Sequence, residues 1–135
     1  MKKSQASSEY LIIVGFVVGI TIPLMLVYFT FANDVNDQIV ASQLDQIAKS
    51  IVDAADTVYF LGEPSQTTMK VYLPANIKEV RIINKVVDYK IKTKAGVSDI
   101  AYISSANLTG TLPISSGVHF ITVKATSIGV ELSHK

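Results

Sequence analysis

Glu9 is the residue whose chemistry is hardest to pass off as ordinary surface. It stands at the lip of residues 10–33, a stretch without one charged side chain. A carboxylate beside a membrane-length apolar helix is costly and usually has a task. Other residues of chemical interest are few. His119 and His134 are the only histidines; one lies in an alternating segment and the other beside the C-terminal lysine. Their positions suggest no Ser-His-Asp or Cys-His set. The chain has no cysteine, so disulfides and thiolate metal sites are excluded. Asp34-Val35-Asn36-Asp37 offers oxygen ligands, yet lacks the glycine and terminal glutamate of an EF-hand loop. It reads as a solvated cap where the apolar stretch ends. Walker and dinucleotide fingerprints are absent, so no catalytic residue, metal or cofactor is expected. Asn107-Leu108-Thr109 is an N-glycosylation sequon in a segment expected to be an exposed loop, which makes Asn107 a candidate for modification.

The elements that hold these residues follow from hydropathy and period. At 135 residues the chain is expected to carry one small folded domain and an anchor. The formal charge of +1 is too small for a nucleic-acid binder, and without Lys2 and Lys3 it would be +1 − 2 = −1. As a helix, residues 10–33 span about 36 Å, enough to cross a hydrocarbon core of about 30 Å. Lys2 and Lys3 precede this block and Asp34 and Asp37 follow it, which places the N-terminus in the cytoplasm and the remainder outside. A secretory signal has a shorter apolar core and a small-x-small site beyond it; residues 28–32 offer no such site, so cleavage is expected before the helix. Within the block, Gly15 and Gly19 form a Gly-x-x-x-Gly pair. It reads either as a close-packing face or as the glycine that is common in membrane helices. Pro23 removes a backbone donor and is expected to kink or loosen the helix, with Thr21 near enough to take a freed carbonyl.

Beyond Asn33 the pattern changes. Val40, Leu44, Ile47, Ile51, Ala54, Val58 and Leu61 recur at alternating spacings of 4 and 3, a stripe along a helix. Gln43, Asp45, Gln46, Lys49, Ser50, Asp53 and Asp56 form its solvated face, and Gly62 and Pro64 stop it. The stripe suits a coiled-coil seam or the chain's own sheet, and the following segments need a partner for their apolar faces. Alternation over residues 69–73, 77–83 and 87–92 predicts strands, with a tight turn at Asn84-Lys85. Residues 99–103, 117–125 and 128–132 complete five or six antiparallel strands, and residues 104–116 read as loop. The expected class is α+β, a helix laid on one face of a small antiparallel sheet.

Residues 5–11 read Gln-Ala-Ser-Ser-Glu-Tyr-Leu, after a basic start and before the apolar helix. Gln5, Ser7 and Glu9 in this setting resemble the class III signal peptide of archaeal type IV pilins. The specific resemblance covers residues 5–11 and the helix; residues 117–123 also look like the closing strands of that family. It implies a pilin-like lollipop with a cleaved leader (1–4), a hydrophobic membrane or filament-core helix (5–33), an amphipathic helix (34–62) and a β head (63–135). It further implies that a prepilin peptidase cuts between Ser4 and Gln5, where the family often has glycine at the position of Ser4. The partners implied are other copies in a homopolymer, the peptidase, an assembly platform and motor, and the membrane before assembly. The destination is an extracellular filament for adhesion or cell contact. The new amino terminus at Gln5 would pair with Glu9 of the same or a neighbouring subunit. Two other readings stay open at this point: a single-pass membrane protein whose outer β domain binds a ligand or partner without polymerising, and a related filament subunit such as an archaellin or minor pilin.

Overall fold

The computed structural model describes residues 2–94 and 96–135; of residues 2–6 and of Asn33 it describes the backbone alone. Helix α1 spans Lys2–Leu61. The chain divides into two compact units between Asn36 and Asp37.

The first unit is the apolar part of α1. Its large side chains are exposed from Tyr10 to Phe31, for example Ile12 at 70% and Phe16 at 69%. This is one helix long and apolar enough to cross a membrane, with a mean hydropathy of 2.6 over its best window. Helical structure continues through Pro23 without interruption. Thr21 Oγ1 donates to the Val17 carbonyl at 2.7 Å. That is not the carbonyl of Gly19, which Pro23 leaves without its i+4 donor, so the compensation expected of Thr21 goes elsewhere.

The second unit is α+β. Among the described residues, seven strands form two sheets where one was expected. Strands β1 (Gln66–Leu73), β2 (Ile77–Ile83), β3 (Val86–Thr93), β4 (Gly96–Ile103), β5 (Leu108–Gly110), β6 (Gly117–Thr126) and β7 (Gly129–His134) follow the helix. One sheet has the order β1-β6-β7-β5 and the other β2-β3-β4. All pairings are antiparallel except β5 on β7, which is parallel. The expected turn at Asn84-Lys85 is there: Ile83 pairs with Val86, and Asn84 has φ 54°. The segment 104–116 departs from its loop reading. It contains β5 and buries Ser104, Ala106, Leu108 and Leu112.

The helix ends where Gly62 adopts φ 75° and its N–H reaches back to Val58 O at 3.1 Å and Tyr59 O at 3.2 Å. This satisfies carbonyls of the last turn, and glycine enters that conformation at no steric cost. Upstream, Leu44, Ala48, Ile51, Ala55 and Val58 are buried, a stripe spaced 4, 3, 4, 3. The predicted stripe shares Leu44, Ile51 and Val58 with it. Ile47 and Ala54 are only partly covered, and Leu61 is 70% exposed. The core face is centred on two alanines, Ala48 and Ala55, both fully buried. Against it pack Val71 and Leu73 of β1, Val87, Tyr89 and Ile91 of β3, Ile121 and Val123 of β6, and Val130 and Leu132 of β7. The stripe thus packs on the chain's own strands.

On the outer face of the three-stranded sheet, charges of opposite sign stand opposite each other. Glu79, Lys90 and Asp99 make one row, and Arg81 and Asp88 begin the next. Such pairs help fix register. Arg81 Nε donates to Glu79 Oε1 at 2.7 Å, and this hydrogen bond first, with the neighbouring cations, holds the Glu79 carboxyl below its usual range.

Candidate functional site

Two places in the molecule carry residues that sequence reasoning singled out. The first is the start of α1. Ser7 and Glu9 are exposed there. The side chains of Lys2, Lys3, Ser4 and Gln5 lie outside the described residues, and with them the cleavage point between Ser4 and Gln5. Among the described residues the one ion pair is Arg81–Glu79, so Glu9 is not neutralised by a described cation. Gly15 and Gly19 meet open space: a Cβ built on either has no neighbour within 4 Å. At about 100° per residue the two glycines lie about 40° apart round the helix, and Glu9 lies about 120° from Gly15. Glu9 and the glycine face therefore address different flanks. The threonines of this segment add little polarity, because Thr21 and Thr30 turn their hydroxyls onto the carbonyls of Val17 and Leu26. Its outer surface is thus apolar nearly all round, as a helix surrounded by lipid or other helices requires.

The second place is a polar seam in the second unit, which the sequence reading missed. Asp45 and Asp56 were assigned to a solvated face. In the structure Asp56 is half-buried and accepts three hydrogen bonds: from Ser104 Oγ at 2.6 Å, Ser105 N at 2.8 Å and Ser105 Oγ at 3.3 Å. Asp45 Oδ1 accepts from the Tyr102 hydroxyl at 2.8 Å. That bond is the main reason the Tyr102 hydroxyl titrates above its usual value, with burial second. Asp37 Oδ2 accepts from the Lys94 backbone N–H at 2.9 Å. The three carboxylates fasten the helix to the β3–β4 turn, to β4 and to the segment after it. The available signal was the spacing of Asp45 and Asp56, three helical turns apart and hence on nearly one meridian.

The remaining candidates are dispersed. Asn107 is exposed immediately before β5, while its carbonyl accepts from Val130 N at 2.8 Å and Thr109 Oγ1 donates to Val130 O at 3.3 Å. A Cβ on Gly129 would run into the Asn107 carbonyl, so this crossing requires glycine. His119 Nε2 meets Ser115 O at 2.9 Å and His134 Nδ1 meets Thr111 O at 3.2 Å. Both histidines thus hold the loop between β5 and β6. Among the described residues no three His, Asp or Glu side chains gather as metal ligands. The Tyr89 hydroxyl is buried, with no hydrogen-bond partner among the described residues. Burial moves its ionisation well above the ordinary tyrosine value.

No protein family, curated protein or solved structure matches this chain.

Proposed function

We propose that the chain is a structural subunit of an archaeal type IV pilus, built on the lollipop plan and serving adhesion or cell contact rather than catalysis. The observation that carries this reading is the exposed apolar helix from Tyr10 to Phe31 with the exposed carboxylate of Glu9 at its entrance. The precursor sits in the membrane with its basic residues inside. A prepilin peptidase removes residues 1–4, and the amino group of Gln5 becomes a cation able to pair with Glu9. Near the membrane interface an isolated carboxylate is costly, up to about 3 kcal/mol at the helix centre. Pairing with a neighbouring amino terminus reduces that cost in one axial register alone.

Passing from lipid to a filament core exchanges one apolar environment for another. Close packing at Gly15 and Gly19, the Glu9 pair and an external motor must therefore drive that step. Loss of a subunit into water is opposed far more strongly. Each large apolar side chain exposed to water costs roughly 1.5–3 kcal/mol, and this helix carries more than a dozen.

The test is the N-terminal sequence and intact mass of the protein from its own cell envelope. A start at Gln5, free or cyclised, supports prepilin processing. A start at Met1 or Lys2 refutes it and leaves a single-pass membrane protein with an outer binding domain. Filament yield from Glu9→Gln and Glu9→Ala then examines assembly: both should insert normally and give fewer filaments, and undiminished filaments from both would remove the pairing role.

A further inference from the structure

The second unit has a cleft of about 500 Å³ formed by the β1–β2 turn and the β3–β4 hairpin, and its charge is of one sign. Lys78, Lys92 and Lys94 line it, together with Asn76, Ile77 and Val97, and no acidic residue does. All three lysines are exposed, and among the described residues none has an ion-pair partner. Of the nearby acids, Glu79 holds Arg81, and Asp37 stands beside the cleft with its carboxylate accepting the Lys94 N–H. Asp34, exposed at the end of the apolar segment, is a second acid on the connecting chain.

The place of this cleft in the chain gives it meaning. The β3–β4 turn is fastened to Asp37 at 2.9 Å. Asp37 follows shortly after Asn33, where the uncharged segment ends. Even fully extended, the intervening residues reach at most roughly 14 Å. If residues 10–33 lie in a bilayer, Asp37 is held within that distance of its surface, however the two units are oriented, and the cleft begins where the Asp37 carboxylate meets Lys94. Ile77 and Val97 add apolar surface beside the ammonium groups, and Val97 is 52% exposed. A free phosphate has no use for that apolar wall; a phospholipid, with a charged headgroup above a chain, does.

We propose that this cleft docks on the anionic headgroups of the outer leaflet while the subunit waits in the membrane, with Lys78, Lys92 and Lys94 as the contacts. The proposal rests on the membrane-anchored reading of residues 10–33. Docking holds the β domain down on the surface, and extraction into a filament breaks the contact.

The absence of cysteine allows a single reporter. Full-length Val97→Cys protein carrying a fluorophore is reconstituted into vesicles of phosphatidylcholine, alone or mixed equally with phosphatidylglycerol. Each set contains a trace of headgroup spin-labelled lipid as quencher. The expected result is stronger quenching in the anionic vesicles, abolished by Lys78→Glu/Lys92→Glu/Lys94→Glu and reduced by Lys78→Gln/Lys92→Gln/Lys94→Gln. At roughly five-fold per lysine, the docking equilibrium should fall about 100-fold when all three charges go. High salt should mimic the loss, since the screening length shrinks to about 3 Å at 1 M. Tyrosine near-UV circular dichroism verifies that the variants are folded. Quenching equal in both lipids, from protein that resists carbonate extraction, overturns the docking and leaves the anchor standing. Protein that is extracted from both vesicles overturns the anchor and the docking together. Quenching that follows protein density instead of lipid charge means that the lysines face a second copy, which also overturns the proposal.

Discussion

Asp56→Ala should weaken the second unit more than the loss of any other surface carboxylate on its helix. Two of the three bonds to Asp56 are short, from Ser104 Oγ at 2.6 Å and Ser105 N at 2.8 Å. A hydrogen bond to a charged group contributes about 1.5–3 kcal/mol, and a buried donor left unmade costs about 1–3 kcal/mol. The two donors differ in what water can replace. Ser105 is exposed and recovers a partner from solvent, whereas Ser104 is 2% exposed. Its oxygen already accepts from Ala106 N at 3.1 Å, so only its own hydrogen is stranded. Most of one charged bond plus one stranded hydroxyl gives about 2–3 kcal/mol, a fall in melting temperature of roughly 8–20 °C for a unit of this size. The chain has no tryptophan, so thermal unfolding in detergent is followed by tyrosine near-UV circular dichroism on the full chain. Asp56→Asn keeps an acceptor and should lose about 1 kcal/mol. Asp53→Ala makes the same charge change on an exposed side chain and should stay within about 0.5 kcal/mol. Adding Ser104→Ala to Asp56→Ala removes the stranded hydroxyl, so the double variant should be less damaged than the sum of the singles. The reasoning fails if Asp56→Ala behaves like Asp53→Ala, or if the double variant is strictly additive.

Other consequences can be measured in the same way. Tyr89→Phe should stabilise the second unit by about 1 kcal/mol, because it removes a buried hydroxyl without a described partner and keeps the ring; a clear loss of stability would mean that the hydroxyl is satisfied in solution. Gly129→Ala should destabilise by roughly 1–3 kcal/mol through its collision with the Asn107 carbonyl, and an unchanged melting curve would contradict the close crossing. The Tyr102 hydroxyl is raised above its ordinary 10.0 by the Asp45 bond. Its contribution is therefore full below pH 10 and lost as pH rises through the folded value. Wild type should exceed Tyr102→Phe in stability at neutral pH, with the gap narrowing in alkaline solution; a gap that widens there would reverse the assignment.

The local features of this fold were legible in the residues, and the long-range ones were not. The uncharged run, the stop at Gly62 and Pro64, and the two-residue turn at Asn84-Lys85 each depend on neighbours in sequence, and each is found in place. The division into two sheets depends on which strands meet. Alternation in residues 69–73 tells which faces are apolar but not that β1 pairs with β6 while β2 pairs with β3. Strand β5 has three residues, too few for a period to show. The role of Asp56 was invisible for a different reason: an aspartate on the polar side of a helix looks the same whether water or a serine pair receives it. The start of α1 lies at the opposite extreme. Its candidate chemistry is written in closely spaced residues, Gln5, Ser7 and Glu9.

The strand order also decides what the chain can do as it emerges. Strands β2, β3 and β4 are joined by tight turns and pair with sequence neighbours, so their sheet can close early. Strand β1 has no such neighbour. Its Gln66–Leu73 edge pairs with Gly117–Thr126, which arrives only after the whole three-stranded sheet has passed. Contacts of that separation form slowly. Until β6 arrives, β1 is left without its pairing partner. This interval is the time in which a newly made chain is most open to aggregation.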